Sequence, residues 1–129
     1  MKRALQINPD NMPGVWEDIK DWRERHKRLP VNTALGLFDA DEAASENFKG
    51  MIEEFDLLPT LSAESKLTWK RADNSYIALS KSELAAVYSE LKTARAVRGA
   101  VLHAKAEQFR LMPTIPTPAQ LSDISFWMT

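Results

Sequence analysis

Two histidines and a short acidic run are the residues of this chain that could take part in catalysis or bind a metal ion. His26 and His103 stand far apart in the sequence, whereas Asp39, Asp41 and Glu42 lie close together. An imidazole titrates near neutral pH and serves as a base or a metal ligand. Neighbouring carboxylates are ligands for hard cations. These residues are therefore the first candidates for a catalytic or metal site.

Neither set has the spacing that such chemistry needs. The histidines have no carboxylate at metal-ligand spacing, and the acidic run lacks the ligand spacing and central glycine of a calcium loop. Helix capping accounts for the run, with Asp39 as the cap and Glu42 three residues later. His26 falls on the apolar face of a predicted helix, which favours a core or boundary position. The sequence has no cysteine, no glycine-rich phosphate loop and no nucleophile elbow. We therefore predict a protein that is not an enzyme, with no catalytic residue, metal, cofactor or small-molecule substrate.

A basic cluster beside Trp22 is the feature that could bind a nucleic acid, because aromatic and basic side chains together bind single strands. Acidic residues interleave with this cluster, as in the i,i+4 pair Asp21–Arg25. The formal net charge of the chain is −1, which argues against a general polyanion binder. A small nucleic-acid-binding or regulatory protein is the alternative function. It would use the basic residues Arg23, Arg25, Lys27, Arg28, Arg95 and Arg98.

Chain length and hydropathy limit the class of protein further. A chain of 129 residues has the size of one domain. No apolar run approaches the roughly 20 residues that span a bilayer. The basic first residues are not followed by an apolar segment, so they do not form a signal peptide. We expect a soluble protein without a membrane partner.

Two helices are predicted in the first half of the chain. Apolar residues recur at three- and four-residue steps over 15–29, which predicts an amphipathic helix that Pro30 ends. A short extended segment, 31–38, follows. The second helix begins after the acidic run and ends at about Leu57, because the next residue precedes a proline and is disfavoured in α geometry.

A β-hairpin followed by a long helix is the clearest structural pattern in the sequence. Two short strands flank the turn Ala72-Asp73-Asn74-Ser75, whose Asp and Asn tolerate turn geometry. Ser80 and Glu83 then form a capping box, in which each side chain bonds to the amide of the other residue. The helix that begins there runs to about Met112 and would be about 48 Å long. We expect it either to kink near Gly99 and fold back or to extend its second half toward another chain.

The chain changes character after residue 112. Three prolines disfavour a continuous helix there, and the apolar segment Ile124–Met128 follows them. This tail can pack onto its own domain and hide its apolar area, or it can dock into a neighbouring subunit or partner. We adopt the second interpretation. The predicted partner-binding residues are Val101, Leu102, Phe109, Met112, Ile124, Phe126, Trp127 and Met128.

Together these elements predict an α+β fold. We expect a flexible N-terminal arm over residues 1–14, a single α+β domain over 15–112, and an extended, proline-containing tail for docking over 113–129. The domain would hold three helices, the last one long, and a small antiparallel sheet built around the hairpin.

Two patches of the sequence and a short part of the long helix match a known pattern. The first patch is Phe38-Asp39-Ala40-Asp41-Glu42-Ala43 with Ser45. The second is Leu67-Thr68-Trp69-Lys70 with Ala72-Asp73-Asn74, Leu79-Ser80 and Glu83-Leu84, and Leu102-His103 with Ala106 completes the match. Over about residues 35–112 the chain resembles a family of phage and prophage domains of unknown function, found in and beside tail-fibre and tail-fibre-assembly proteins.

The resemblance implies a phage-tail context and no catalytic residues. We therefore expect a non-enzymatic bacteriophage tail component, either a structural subunit or a tail-fibre assembly helper. It would act through protein–protein contacts with itself or with a tail or fibre protein. Because tail parts are usually symmetric assemblies, a closed homo-oligomer is an expected form. The protein would be found in the host cytoplasm during assembly and, as a structural subunit, in the virion tail.

Overall fold

The computed structural model describes residues 13–129, with side chains from residue 15 onward. Its helices are α1 (Pro13–Lys27), α2 (Glu42–Leu57), α3 (Lys81–Leu111), α4 (Pro118–Ser122) and α5 (Ile124–Trp127). Its strands are β1 (Val31–Thr33), β2 (Gly36–Phe38), β3 (Lys66–Lys70) and β4 (Tyr76–Ser80). The strands form two antiparallel sheets, β1–β2 and β3–β4. The predicted α+β class is confirmed.

The chain divides into two compact units, where one domain with a tail was predicted. The hairpin unit comprises residues 28–96. The aromatic unit comprises the described residues 13–27 together with 97–129. The predicted N-terminal arm lies outside the described residues except for Pro13 and Gly14, which begin α1.

The predicted extended segment 31–38 is a small hairpin in the hairpin unit, because the chain turns back before Gly36. This glycine has φ +122°, a conformation that disfavours any residue with a Cβ. The Arg71 Nε donates to the Leu35 carbonyl at 2.9 Å. The same nitrogen would lie 2.5 Å from a Cβ built at position 36. Backbone geometry and the Arg71 side chain therefore both disfavour any other residue there.

The second hairpin has the predicted turn. Asn74 takes φ 70°, and the Asp73 carboxylate accepts hydrogen bonds from the Ser75 N–H at 3.0 Å and the Ser75 hydroxyl at 2.6 Å. One apolar cluster packs residues from both hairpins, α2 and the first half of α3. Its buried members are Val31, Phe38, Ala40, Phe48, Phe55, Leu79, Leu84, Val87 and Leu91.

The start of α3 has the predicted capping box. The Ser80 N–H donates to Glu83 Oε1 at 2.9 Å, and the Glu83 N–H donates to the Ser80 hydroxyl at 3.3 Å. Leu84, Val87 and Leu91 recur on one face and are fully buried. The capping box therefore places this face against the core of the hairpin unit.

The second half of α3 belongs to the aromatic unit. The helix continues through Gly99 to Leu111. Its buried residues Leu102, Ala106 and Phe109 pack with segments of the same chain that are distant in sequence. The other buried members of this cluster are Ile19 of α1, Leu121 of α4 and Trp127 of α5. These three side chains of the second half of α3 are therefore covered by their own chain.

The prediction of an extended tail is wrong. Thr117 caps α4 through a capping box: its hydroxyl accepts from the Gln120 N–H at 3.2 Å, and its N–H donates to Gln120 Oε1 at 2.9 Å. Pro118 stands in the first turn of α4, where a backbone N–H has no acceptor within the helix. The lack of an N–H in proline therefore costs no helical hydrogen bond. Asp123 caps α5 by accepting from the Ser125 N–H at 2.9 Å. Pro118 thus starts a helix instead of preventing one.

Candidate protein-binding cleft

A surface cleft of about 320 Å³ lies in the hairpin unit, beside β3 and the start of α2. Three of its residues are consecutive in β3, and three share one face of α2 at i, i+3 and i+4. The lining residues are Asp39, Ala44, Asn47, Phe48, Thr68, Trp69 and Lys70. Several of them belong to the two patches that carry the resemblance described above.

The main-chain groups of β3 alternate between those that bond to β4 and those that point away from it. Arg71 donates its N–H to the Ser75 carbonyl at 2.7 Å, which marks this cross-strand pair as bonded. Bonded and non-bonded pairs alternate in an antiparallel ladder. Trp69 therefore directs its N–H and C=O toward β4, while those of Thr68 and Lys70 point away from it.

This outer edge of β3 is occupied at one end and unpaired beside the cleft. Ala72 follows Thr68 and Lys70 in this alternation, so its N–H also points away from β4. It donates to the Leu37 carbonyl at 2.9 Å. Within the described part of the chain, no hydrogen bond reaches the outward main-chain groups of Thr68 or Lys70. Beside α2, β3 therefore presents donors and acceptors that another strand could use.

Asp39 is available to a ligand because it is not the cap of α2. The helix begins at Glu42, and Asp41 caps it by accepting from the Ala44 N–H at 2.8 Å. The prediction of Asp39 as the cap was wrong by two residues. Asp39 is exposed and, among residues 13–129, has no hydrogen-bond or ion-pair partner. Its carboxylate therefore lines the cleft without a structural role in the cap.

The cleft has an aromatic floor and a polar rim. The rings of Phe48 and Trp69 lie 4.7 Å apart between centroids; Phe48 is buried and Trp69 is half-buried. Asn47 and Lys70 are exposed on the rim, and neither side chain has a partner among the described residues. Such a mixture of an apolar floor and a few polar groups is typical of binding sites.

A second lysine of the β3 edge contacts the α3 cap. The Lys66 ammonium lies 3.4 Å from Glu83 Oε1. The hydrogen bond from the Ser80 N–H, followed by that of the Ser80 hydroxyl and the charge of Lys66, lowers the pKa of the Glu83 carboxyl. Lys66 is thus partly neutralised, whereas the charge of Lys70 has no ion-pair partner among residues 13–129.

The residues that the sequence predicted to bind a partner lie in the aromatic unit, and three of them are buried there. Leu102 and Trp127 are 0% exposed and Phe109 is 4% exposed. Their own chain covers them, so the prediction is wrong for these three. The other predicted residues are half-buried or exposed and stay candidates: half-buried Val101, Ile124 and Phe126, and exposed Met112 and Met128.

Trp127 and His26 meet at the carbonyl of Leu121. The Trp127 Nε1 donates to this oxygen at 2.8 Å, and the His26 Nε2 lies 2.8 Å from the same atom. A carbonyl only accepts, so the His26 Nε2 carries a proton. The His26 ring is 4% exposed and stacks on Trp22 at 5.6 Å. The predicted core position of His26 is confirmed.

Carboxylates contact most of the basic residues of the alternative function. In the aromatic unit, Glu24 lies 3.0 Å from Arg23 and 3.2 Å from Lys27. In the hairpin unit, Glu42 lies within 3.8 Å of the two arginines of the set that belong to it. Phosphate binding relies on basic groups that can neutralise phosphates. The geometry therefore gives the nucleic-acid alternative no specific support.

Residues 13–129 contain no cluster of three or more His, Asp and Glu side chains that could hold a metal ion. None of the helices in the same range combines the length and apolar character that a bilayer span requires.

The fold and the cleft together define a small mixed α+β protein in which, among residues 13–129, the outer edge of β3 beside the cleft is unpaired. The profile of the family described as "Domain of unknown function (DUF4376)" matches residues 13–124. Since this range covers most of the chain, the protein belongs to that family. No curated protein and no solved structure matches the chain.

Proposed function

We propose that this protein is a non-enzymatic component of a bacteriophage tail, either a structural subunit or a tail-fibre assembly helper, that acts through protein–protein contacts. The observation that carries the proposal is the unpaired outer edge of β3 beside the cleft. An exposed strand edge binds extended segments of other proteins through main-chain hydrogen bonds. The sequence resemblance to tail-fibre-associated domains supplies the phage-tail context.

The residues of the resemblance support this choice of surface. Asp39 of the first patch and Thr68, Trp69 and Lys70 of the second line the same cleft. The contact surface of the proposal thus lies in the hairpin unit, because the apolar segment around Trp127 is used inside the aromatic unit.

Disruption of the gene in a phage or prophage that carries it tests the proposed function. We expect particles with missing or unattached fibres in electron micrographs, and recovery of normal particles when the wild-type chain is supplied from a plasmid. An unrelated non-structural gene disrupted in the same way serves as the control. Normal, infectious particles without this protein would contradict the proposal.

Two measurements separate a structural subunit from an assembly helper. A subunit stays in purified virions and is detected there by mass spectrometry, and light scattering after gel filtration gives a closed oligomer such as a trimer or hexamer. A helper is absent from virions and is a monomer that waits for its fibre partner.

A further inference from the structure

We propose that the cleft beside β3 binds an extended peptide segment as a third strand of the β3–β4 sheet, and that this segment alternates acidic and apolar residues. The proposal rests on the proposed function, since it names the chemistry of the protein partner. It assigns the main-chain contacts to Thr68 and Lys70 and the side-chain selection to Lys70, Trp69 and Phe48.

The main chain of β3 sets where the added strand lies. Thr68 and Lys70 direct their N–H and C=O groups away from β4, and Ala72 uses its outward N–H to bind Leu37 at 2.9 Å. The contact at Ala72 limits the open edge on one side. An added strand therefore bonds to Thr68 and Lys70 and ends before position 72.

The two faces of β3 set the alternation of the added strand. Leu67 and Trp69 are half-buried and point to the core, while Lys66, Thr68 and Lys70 are exposed on the other face. Directly opposite residues of neighbouring strands share a face. The partner residue opposite Trp69 lies on the core side and is apolar. Those opposite the lysines lie on the exposed side and are acidic.

A second copy of this chain is a poor occupant of the same edge. Antiparallel pairing of two β3 edges about Thr68 would place Lys66 opposite Lys70 of the second copy, and parallel in-register pairing would place like lysines side by side. Like charges directly opposite each other destabilise a strand pair. Edge lysines thus oppose self-pairing and attract an acidic segment.

The test uses two synthetic peptides with the full chain. One alternates glutamate and valine over seven residues, and the other has lysine in place of each glutamate. Fluorescence anisotropy measures the affinity of each labelled peptide, and NMR of the 15N-labelled chain locates the bound site. We expect the acidic peptide to bind at least about tenfold more tightly than the basic one, and the amides of Thr68 and Lys70 to gain protection from hydrogen exchange.

A pair of proline variants tests the main-chain contacts. Thr68→Pro removes an N–H that points to the cleft, whereas Ala78→Pro removes the N–H of the directly opposite residue, which points to the other edge. Neither change removes a bond between β3 and β4. We expect Thr68→Pro to weaken binding of the acidic peptide about tenfold or more, and Ala78→Pro to change it by less than about twofold.

Lys70→Glu tests the side-chain selection without a change to the main chain. We expect this variant to prefer the basic peptide, because the charge of the side chain that faces the added strand is reversed.

Three outcomes would overturn the proposal: no binding of either peptide at about 1 mM, equal binding of the acidic peptide by the Thr68→Pro variant and the wild type, or dimerisation that Thr68→Pro abolishes. If gene disruption removes fibres and neither peptide binds, the strand addition fails and the tail function stands. If a peptide binds and disrupted phages are normal, the tail function fails.

Discussion

The two units of this protein use their apolar segments and their polar main-chain groups in opposite ways. The aromatic unit turns its most apolar segment inward, so that Trp127 is completely buried and its ring nitrogen is bonded. The hairpin unit covers its own apolar core and, within the described part of the chain, leaves main-chain groups of β3 unpaired beside a cleft. The difference shows that an apolar stretch in a sequence is a weak guide to an exposed surface, because the most apolar segment of this chain lies in its own core.

Deletion of residues 113–129 should have the largest effect, because it should destabilise the aromatic unit and leave the hairpin unit folded. The deletion removes Leu121 and Trp127 from the core of the aromatic unit, so we expect α1 and the second half of α3 to lose most of their protection from hydrogen exchange. The amides of β3 and β4 should stay protected, because the residues they pack against are retained. The full-length chain is the control. Native protection of α1 in the truncated protein would show that the segment is a docking tail after all.

Trp127→Ala should have the next largest effect. The side chain is fully buried, bonds to Leu121 and packs against Phe109 at 4.8 Å. We expect a loss of about 3–5 kcal/mol in the free energy of unfolding of the aromatic unit, measured by urea titration with exchange of α1 amides as the local probe. The neighbouring Met128 is 48% exposed, and Met128→Ala should change stability by less than about 0.5 kcal/mol. Similar losses in the two variants would argue against the packing described here.

Ser80→Ala tests a local contact of the hairpin unit. The substitution removes the hydroxyl that accepts from the Glu83 N–H at 3.3 Å. Loss of such a cap should lower stability by about 1 kcal/mol, again by urea titration. Ser89→Ala, at an exposed position of the same helix, is the matched control. A loss no larger than that of the control would mean that the cap does not stabilise α3.

The stability of the hairpin unit should decrease at acid pH, because the Glu83 carboxylate becomes protonated. Hydrogen bonds from Ser80 hold the pKa of this carboxyl below its usual value. Its stabilising contribution is therefore present above the pKa of the unfolded chain, about 4.3, and is lost as the pH falls through the lower folded value. The urea midpoint of the wild type should exceed that of Glu83→Gln at pH 7, and the two should converge near pH 3. A difference in urea midpoint that stays constant between pH 7 and pH 3 would contradict a stabilising role of the ionised Glu83 carboxylate.

The smallest effect should come from His103 in the aromatic unit. Partial burial, followed by the charges of Arg23 and Lys27, lowers the pKa of this imidazole. The unfolded chain then takes up the proton first, so stability should decrease slightly as the pH falls through about 6.5. His103→Gln should remove this slope. NMR titration of the wild-type imidazole gives the direct check, and a pKa above 6.5 would reverse the expected sign.

Local patterns predicted much of the hairpin unit. The turn around Asn74, the box of Ser80 and Glu83, and the end of α2 at Leu57 each depend on neighbouring residues, so the sequence carries them in full. The cap of α2 was misplaced because Asp39 and Asp41 both have the right side chain. Glu42 stands three residues after Asp39, and this capping spacing favoured Asp39. Only the backbone conformation of the folded chain identifies Asp41 as the cap.

The aromatic unit was harder to predict because its contacts join distant segments. The prolines after α3 were interpreted as helix breakers, although Thr117, Pro118 and Gln120 have the spacing of a capping box. Trp127 is buried against α1, which lies near the other end of the described chain. No local sequence pattern encodes a contact between residues so far apart. The cleft was also missed. Its sign in the sequence is the alternation of Lys66, Thr68 and Lys70 with apolar residues. That β3 pairs with only one other strand among residues 13–129 is visible in the structure alone.

The shared carbonyl of Leu121 also sets an order of events during synthesis. His26 lies 95 residues before its acceptor, and all of residues 28–96 are translated in between. The hairpin unit, whose contacts span shorter separations, has its whole sequence available while α1 still lacks the residues that cover it. Non-local contacts form late because the intervening chain must first be closed into a loop. Helix α1 is thus translated before the residues that cover it, so its apolar face stays uncovered until the segment around Leu121 has been made.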